Sequence, residues 1–216
     1  MVVGLLSSLY NDRVKRKRAP ANSLRKAAEA RLPTRFGFFR IIGFENGRRE
    51  CLVALVKGNL SRRAAPLVRI HSQCLTGDVF CSARCDCRAQ LELSLNRIRR
   101  EGAGVLLYEP QEGRGIGLIN KLLAYRLQDG GLDTVEANRR LGLPADNRTY
   151  ALAAEALRRL GLKRVRLLSN NPDKVAALER AGITVVERVP CQPPPARGNR
   201  AYLRTKRAKL GHLLTV

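Results

Sequence analysis

Apolar positions along this chain fall into short β-rich runs and longer helical stripes, and their order predicts most of its elements. Residues 36–44 and 51–56 are β-rich runs joined by Glu45-Asn46-Gly47-Arg48, a turn sequence, and predict a hairpin. Residues 66–71 and 105–108 predict two further strands, and residues 164–168 and 183–187 two more. Residues 23–31 carry helix formers behind Ser23 as a cap, with Pro33 as the stop. Leu91, Leu93, Leu95 and Ile98 mark a helix over 89–100, closed by Gly102 and Gly104. Helices are also predicted over 118–128, 133–141, 149–160 and 173–181, with a basic one over 199–212. Strands and helices alternate in the second half, a βαβ rhythm that predicts an α/β layer with parallel pairing. No internal repeat or second domain boundary is visible, so residues 23–216 read as one compact domain. Residues 1–22, with little apolar periodicity and the basic run Arg13-Val14-Lys15-Arg16-Lys17-Arg18, read as a poorly ordered extension.

Four of the six cysteines lie in the polar stretch between Arg69 and Gln90. Cys74, Cys85 and Cys87 supply three thiolates, the number of protein ligands a catalytic zinc takes when its fourth position is kept for water. Structural zinc wants four ligands, usually in two separated pairs; this chain has no second pair and two histidines. Cys81 would close the site as a fourth thiolate, and His71 also lies nearby in sequence. A structural zinc, and plain buried or redox thiols, therefore stay open as alternatives.

Composition changes this picture in two ways. An apolar fraction of 44% over 216 residues supports a real core and excludes disorder throughout. The net charge of +23 is spread along the chain and is mostly arginine. It fits a solvated basic surface, attraction for a small phosphorylated substrate, or nucleic-acid binding; few aromatics are present to stack bases, which counts against the last. No apolar run approaches the roughly 18 to 20 residues of a membrane span, and the first residues lack the pattern of a secretory signal. A cytoplasmic protein with reduced thiols is expected.

Gln111-Glu112-Gly113-Arg114-Gly115-Ile116-Gly117 lies between a predicted strand and a predicted helix. Its backbone N–H groups, with Arg114 beside them, suit a phosphate cradle, although the glycine spacing is neither a P-loop nor a dinucleotide fingerprint and a tight turn is the plainer reading. Asp146 reads either as the N-cap of the helix at 149–160 or as a base beside Arg148.

Taken together, the segments His71-Ser72-Gln73-Cys74-Leu75-Thr76-Gly77-Asp78, Arg84-Cys85-Asp86-Cys87, Gln111 to Leu118, Asp133-Thr134-Val135-Glu136-Ala137-Asn138 and Asn170-Asn171-Pro172 resemble the GTP cyclohydrolase II family. They stand in family order and spacing, and the likeness runs over about residues 24–214, including Tyr202-Leu203-Arg204-Thr205-Lys206 and Leu210-Gly211-His212. The resemblance implies a mixed β-sheet with flanking helices. It implies an enzyme that opens the imidazole ring of GTP at C8, releases formate and pyrophosphate, and leaves 2,5-diamino-6-(5-phosphoribosylamino)pyrimidin-4(3H)-one, the first step of riboflavin biosynthesis. It also implies zinc on Cys74, Cys85 and Cys87, one per subunit of a homodimer, and magnesium with the triphosphate. Asp146 matches the family's general base, Arg148 the residue at the α-phosphorus, and Tyr125 a tyrosine beside the reacting ring. An arginine stays protonated, so Arg148 suits a phosphate clamp better than a nucleophile. Nucleotide contacts are implied at Arg69, Ile70, His71, Ser72 and Gln73, and at Gln90. Others are implied at Glu112, Gly113 and Arg114, and at Thr134, Ser169 and Lys174.

Four positions depart from the family pattern. Gln73 stands where Glu is usual, Arg88 where Gly is usual, Pro110 where Arg commonly precedes the glycine loop, and Ser169 where Thr is frequent. Arg88 would restore the positive charge lost at Pro110. The departures leave two further readings, a paralogue with another purine nucleotide or an incomplete reaction, and a non-enzymatic zinc protein that binds nucleic acid.

Overall fold

The computed structural model describes residues 24–47 and 51–215. Seven strands, β1 (Arg25–Thr34), β2 (Gly37–Glu45), β3 (Cys51–Lys57), β4 (Leu67–Ser72), β5 (Gly104–Glu109), β6 (Arg164–Leu168) and β7 (Thr184–Val189), form one sheet in the order β1-β2-β3-β5-β4-β6-β7. The first four in that order pair antiparallel, and β5, β4, β6 and β7 pair parallel. The helices are α1 (Cys87–Glu101), α2 (Leu118–Asp129), α3 (Thr134–Arg140), α4 (Ala151–Arg159), α5 (Pro172–Arg180) and α6 (Arg200–Leu210). The expected α/β fold, with a mixed sheet and flanking helices, is what the chain forms. The extension at 1–22 and Arg48 of the hairpin turn lie outside the described residues. Among the described residues no helix is long and apolar enough to cross a membrane.

One element differs in kind from its prediction. The segment expected as a helix over 23–31 is β1, paired with β2 from Arg25 opposite Glu45 to Thr34 opposite Gly37. Its Arg, Lys, Ala and Glu residues favour a helix by at most about 0.7 kcal/mol each, which a full ladder outweighs. The Thr34 hydroxyl closes the turn, donating to the Gly37 carbonyl at 2.8 Å and accepting from the Phe36 N–H at 3.0 Å. Pro33 is tolerated because β1 lies at the edge of the sheet.

Period-two alternation splits the central strands between two cores. Val68 and Ile70 of β4 join Val105 and Leu107 of β5 beneath Ala153, Leu157 and Leu178 of α4 and α5. Leu67 and Leu106 face the other way, onto Leu95 and Ile98 of α1. The same alternation turns Arg69 and His71 toward the α1 side and leaves Ile70 in the apolar core. Parallel β4, β5 and β6 end on one edge, and the chain leaves β4 for β5 on one side and later crosses back to β6 on the other. Loops at such a switch point diverge and leave a crevice.

Candidate active site

The crevice is a cleft walled by the loops after β4, β5 and β6 together with α2 and α6. The β4 loop is shaped by Asp78. Its carboxylate accepts the Cys74 N–H at 3.0 Å and the Tyr108 hydroxyl at 3.0 Å, and lies 3.0 Å from His71 Nε2. These bonds draw residues Leu75–Val79 into one π-helical turn. Cys85 and Cys87 return at the start of α1, so the sulfurs of Cys74, Cys85 and Cys87 lie within 4.8 Å of one another. Gly77 packs against them; a Cβ there would stand 2.8 Å from Cys85 Sγ and 3.1 Å from Cys74 Sγ. Only glycine admits that approach.

The donor set fits a divalent, thiophilic cation. Hydrogen bonds from Cys85 and Cys87 hold the Cys74 thiol far below its ordinary range, while the bond to Cys74 pushes Cys85 up to about 11 and, with burial, Cys87 upward as well. A bound cation would displace the protons that the three thiols carry. Cys81 is exposed, with its Sγ turned to the Val79 carbonyl, and takes no part in the group. His71 turns its Nε2 to Asp78 and is not in the group either. The group therefore has three members, and no other such cluster occurs among the described residues.

Beside the sulfurs stands Lys121, buried on α2. Its Nζ donates to Glu112 Oε1 at 2.7 Å, to Thr76 Oγ1 at 2.9 Å and to Cys74 Sγ at 3.2 Å. Tyr125, one turn on, meets Thr76 through its hydroxyl at 3.3 Å, and the Arg84 guanidinium lies 4.8 Å from its ring centre. Away from the sulfurs the walls are cationic. Arg69, Arg84, Arg114, Lys121, Arg148 and Lys206 line the cleft, with Lys174 beside them, against a single lining carboxylate among the described residues, Glu112. Lys174 is buried on the Ile70 carbonyl at 2.8 Å, and burial, with Arg69 and Arg148 nearby, lowers its pKa well below the usual lysine range. Among the described residues, four buried side-chain atoms lack a partner: Arg69 Nε, His71 Nδ1, Ser72 Oγ and Arg114 Nη2. All four residues line this cleft, and buried polar atoms left so mark where a polar ligand belongs.

The glycine loop works differently from a ring of amides. Gly113 and Arg114 both take left-handed backbone, φ 62° and 60°. The Gly113 N–H is taken by the Glu112 carboxylate, and the Ile116 and Gly117 N–H groups by the Glu112 carbonyl. What the loop presents is the Arg114 side chain, held by Thr134 Oγ1 at 3.3 Å at the start of α3. Gln111 ties this loop to the one carrying Arg148, donating to the Thr149 carbonyl at 2.7 Å and accepting its N–H at 2.9 Å.

Of the residues expected to contact nucleotide, Arg69, His71, Ser72, Gln73, Gln90 and Glu112 line the cleft, as do Gly113, Arg114, Thr134, Ser169 and Lys174. Ile70 faces the core and turns only its carbonyl to Lys174. Asp146 is no helix cap, since Tyr150 holds that position at α4. Its carboxylate instead accepts from Arg148 Nε at 2.9 Å and Nη2 at 2.5 Å. Burial would raise the Asp146 pKa, but the Arg148 bonds prevail and lower it. Arg88 leaves the lost charge at Pro110 unreplaced: it bonds Glu92 and the Asp78 carbonyl outside the cleft lining.

The family model described as GTP cyclohydrolase II matches residues 25–190. The chain belongs to the GTP cyclohydrolase II family. It is similar to riboflavin biosynthesis protein RibBA of Bacillus cytotoxicus and of Bacillus mycoides, each 56% identical over 192 residues covering 88% of this chain and 48% of the relative. RibBA of Bacillus cereus matches to the same extent. The chain thus spans about half the length of the curated relatives it matches. A solved RibBX, a two-domain 3,4-dihydroxy-2-butanone 4-phosphate synthase from A. baumannii, aligns with 74% of this chain and 37% of its own at TM-score 0.38 and 17% identity, a likeness that carries no argument. In this GTP cyclohydrolase II family chain, sequence reasoning missed Gly77, Gln111, Lys121 and Lys206 as site residues. Lys121 carried a signal, a lysine one turn into a helix that opens on the glycine loop. Lys206 lies on α6, beyond the segment the family model matches.

Proposed function

We propose that this chain catalyses the GTP cyclohydrolase II reaction, opening the imidazole ring of GTP and releasing formate and pyrophosphate, the first step of riboflavin biosynthesis. The observation that carries the reading is one cleft with three sulfurs at one end and a cationic wall at the other. A purine and its triphosphate present chemistry to each. Zinc held by Cys74, Cys85 and Cys87 would supply the acidity that makes water a nucleophile at neutral pH.

The chain's own residues bind and orient. Arg148 is half-buried, charged and held by Asp146 in a fixed fork, the arrangement that recognises phosphate oxygens in two-point fashion. Asp146, pulled below the usual carboxylate range, serves better as the group that aims Arg148 than as a base poised near neutrality. Arg114 adds charge where the triphosphate and its magnesium ion would lie, and Lys174 stands beside it as a hydrogen-bond donor. Tyr125, close to the thiolate group through Thr76, would pack against the reacting ring. A homodimer in the cytoplasm remains part of the proposal.

The test is turnover with separate product counts. Zinc-loaded protein incubated with GTP and magnesium should release formate and pyrophosphate in equal amounts, and Cys87→Ser should lose formate release. Formate without pyrophosphate would mean a reaction that stops early, and neither product from the wild type would overturn the reading.

A further inference from the structure

Beyond the charge of Lys206 on the cleft wall, the motif Tyr202 to Lys206 has no part in the chemistry above, yet its lysine reaches the thiolate loop. Lys206 Nζ donates to Asp86 Oδ1 at 3.0 Å across 120 residues of sequence, with both side chains buried. Asp86 lies between Cys85 and Cys87 and precedes the first residue of α1, where an aspartate ordinarily caps the helix. It makes no capping bond. Its second oxygen accepts Gln90 Nε2 at 2.5 Å, and Gln90 Oε1 accepts from Arg69 Nη2 at 2.6 Å. Arg69 ends the chain of bonds on the Leu168 carbonyl at 3.0 Å. The amide of Gln90 has one donor end and one acceptor end, so the carboxylate on one side and the guanidinium on the other fix which way it points.

We propose that Lys206 is a positioning residue of this site: through Asp86 it sets the loop that carries two of the three thiolates and the orientation of the Gln90–Arg69 pair. Asp86 left without its cation would be a buried carboxylate beside three sulfurs, repelled by the thiolates that the metal needs. Lys206 itself is engaged on two sides, by Asp86 and by the Tyr202 ring, whose centre is 4.5 Å from Nζ. That favours action through Asp86 over direct contact with a phosphate. The nucleotide half of the inference rests on the proposed reaction; the metal half stands without it.

The experiment compares Lys206→Met, Asp86→Asn and the double variant in the full chain. Zinc retention is read by competition with a chromophoric chelator, and GTP kinetics are read at saturating zinc. Loss of an outer partner of a metal site costs about 10-fold or more in metal affinity. Lys206→Met should therefore release zinc to the chelator about 10-fold more readily, and KM for GTP should rise by a similar factor while kcat changes less. If Lys206 acts through Asp86, the double variant is no worse than the worse single one. It is also the variant expected to fold best, because it leaves no unpaired buried charge, and thermal unfolding of all three checks this. Two results would overturn the proposal: losses that multiply in the double variant, or a raised KM with unchanged zinc retention, which would make Lys206 a direct phosphate ligand. If the wild type does not turn over GTP, the proposed reaction falls and the zinc competition alone decides the role of Lys206.

Discussion

Replacing Lys121 by methionine tests how the thiolate loop is tied to α2. The substitution keeps the apolar stem in place and so opens little cavity, but it removes three hydrogen bonds from Nζ, to Glu112, Thr76 and Cys74. Lys121 and Glu112 are both 8% exposed, so the variant leaves a buried carboxylate without its cation. Breaking such a pair costs roughly 3–5 kcal/mol. Glu112 keeps two backbone donors, Leu75 N–H at 2.6 Å and Gly113 N–H at 2.8 Å, which puts the loss at the lower end, ~3 kcal/mol. For a domain of this size each kcal/mol moves Tm by about 2–4 °C, so a fall of roughly 6–12 °C is expected. The assay is thermal unfolding of metal-stripped protein, because bound zinc would add its own stabilisation. Adding Glu112→Gln removes the stranded charge and should recover part of the loss. A fall of less than about 3 °C for Lys121→Met, or a double variant less stable than the single, would refute the argument.

Glu109, buried at the end of β5, has its pKa pushed up to about 7 by burial, with Lys174 and the Gln111 side chain opposing. Its folded state keeps a proton that the unfolded chain releases above an ordinary 4.5, so this contribution is full below pH 4.5 and is lost as pH rises through 7. At about 1.4 kcal/mol per pH unit it amounts to ~3 kcal/mol; denaturant unfolding of wild type and Glu109→Gln at pH 4.5 and pH 8 should show the gap between them change by that amount, and a pH-independent gap would contradict it. Arg148→Lys should keep a measurable part of pyrophosphate release, with Arg148→Ala far lower, because lysine keeps charge and loses the fork; equal inactivity with a nucleotide adduct on Arg148 would instead make it a nucleophile. Cys81→Ser should retain zinc by metal analysis, whereas Cys87→Ser should lose it, and metal loss from Cys81→Ser would mean a closed four-sulfur site.

The sequence was most legible where local pattern and tertiary structure agree. The hairpin of β2 and β3, the helix from Cys87 and the parallel strands follow from periodicity and turn residues. The three thiolates were legible because their spacing brings them together within one loop and one helix start. β1 was not, because its residues favour a helix locally and only pairing with β2 makes them a strand. Asp146 read either as a cap or as a base beside Arg148; that the guanidinium claims its carboxylate in a fixed fork shows only in three dimensions. Gly77 is invisible for the same reason, since its role is set by sulfurs that arrive from elsewhere in the loop. Lys206 needed a contact across 120 residues, which no local pattern encodes.

That distance bears on the order in which the molecule assembles. β1, β2 and β3 meet through short connections, so their ladders close small loops. The contacts that shape the cleft span about a hundred residues each: Arg69 to Leu168 across 99, Ile70 to Lys174 across 104 and Asp86 to Lys206 across 120. Closing long loops costs more entropy and slows the step that depends on them. The antiparallel wing is therefore expected to order early and the cleft last. In stopped-flow measurements, trimming Ile42 in the wing should slow folding, while Lys206→Met should chiefly hasten unfolding; the reverse assignment would place the cleft in the nucleus. A chain caught midway carries all three thiols in one short stretch but lacks the distant cations that give them their shape.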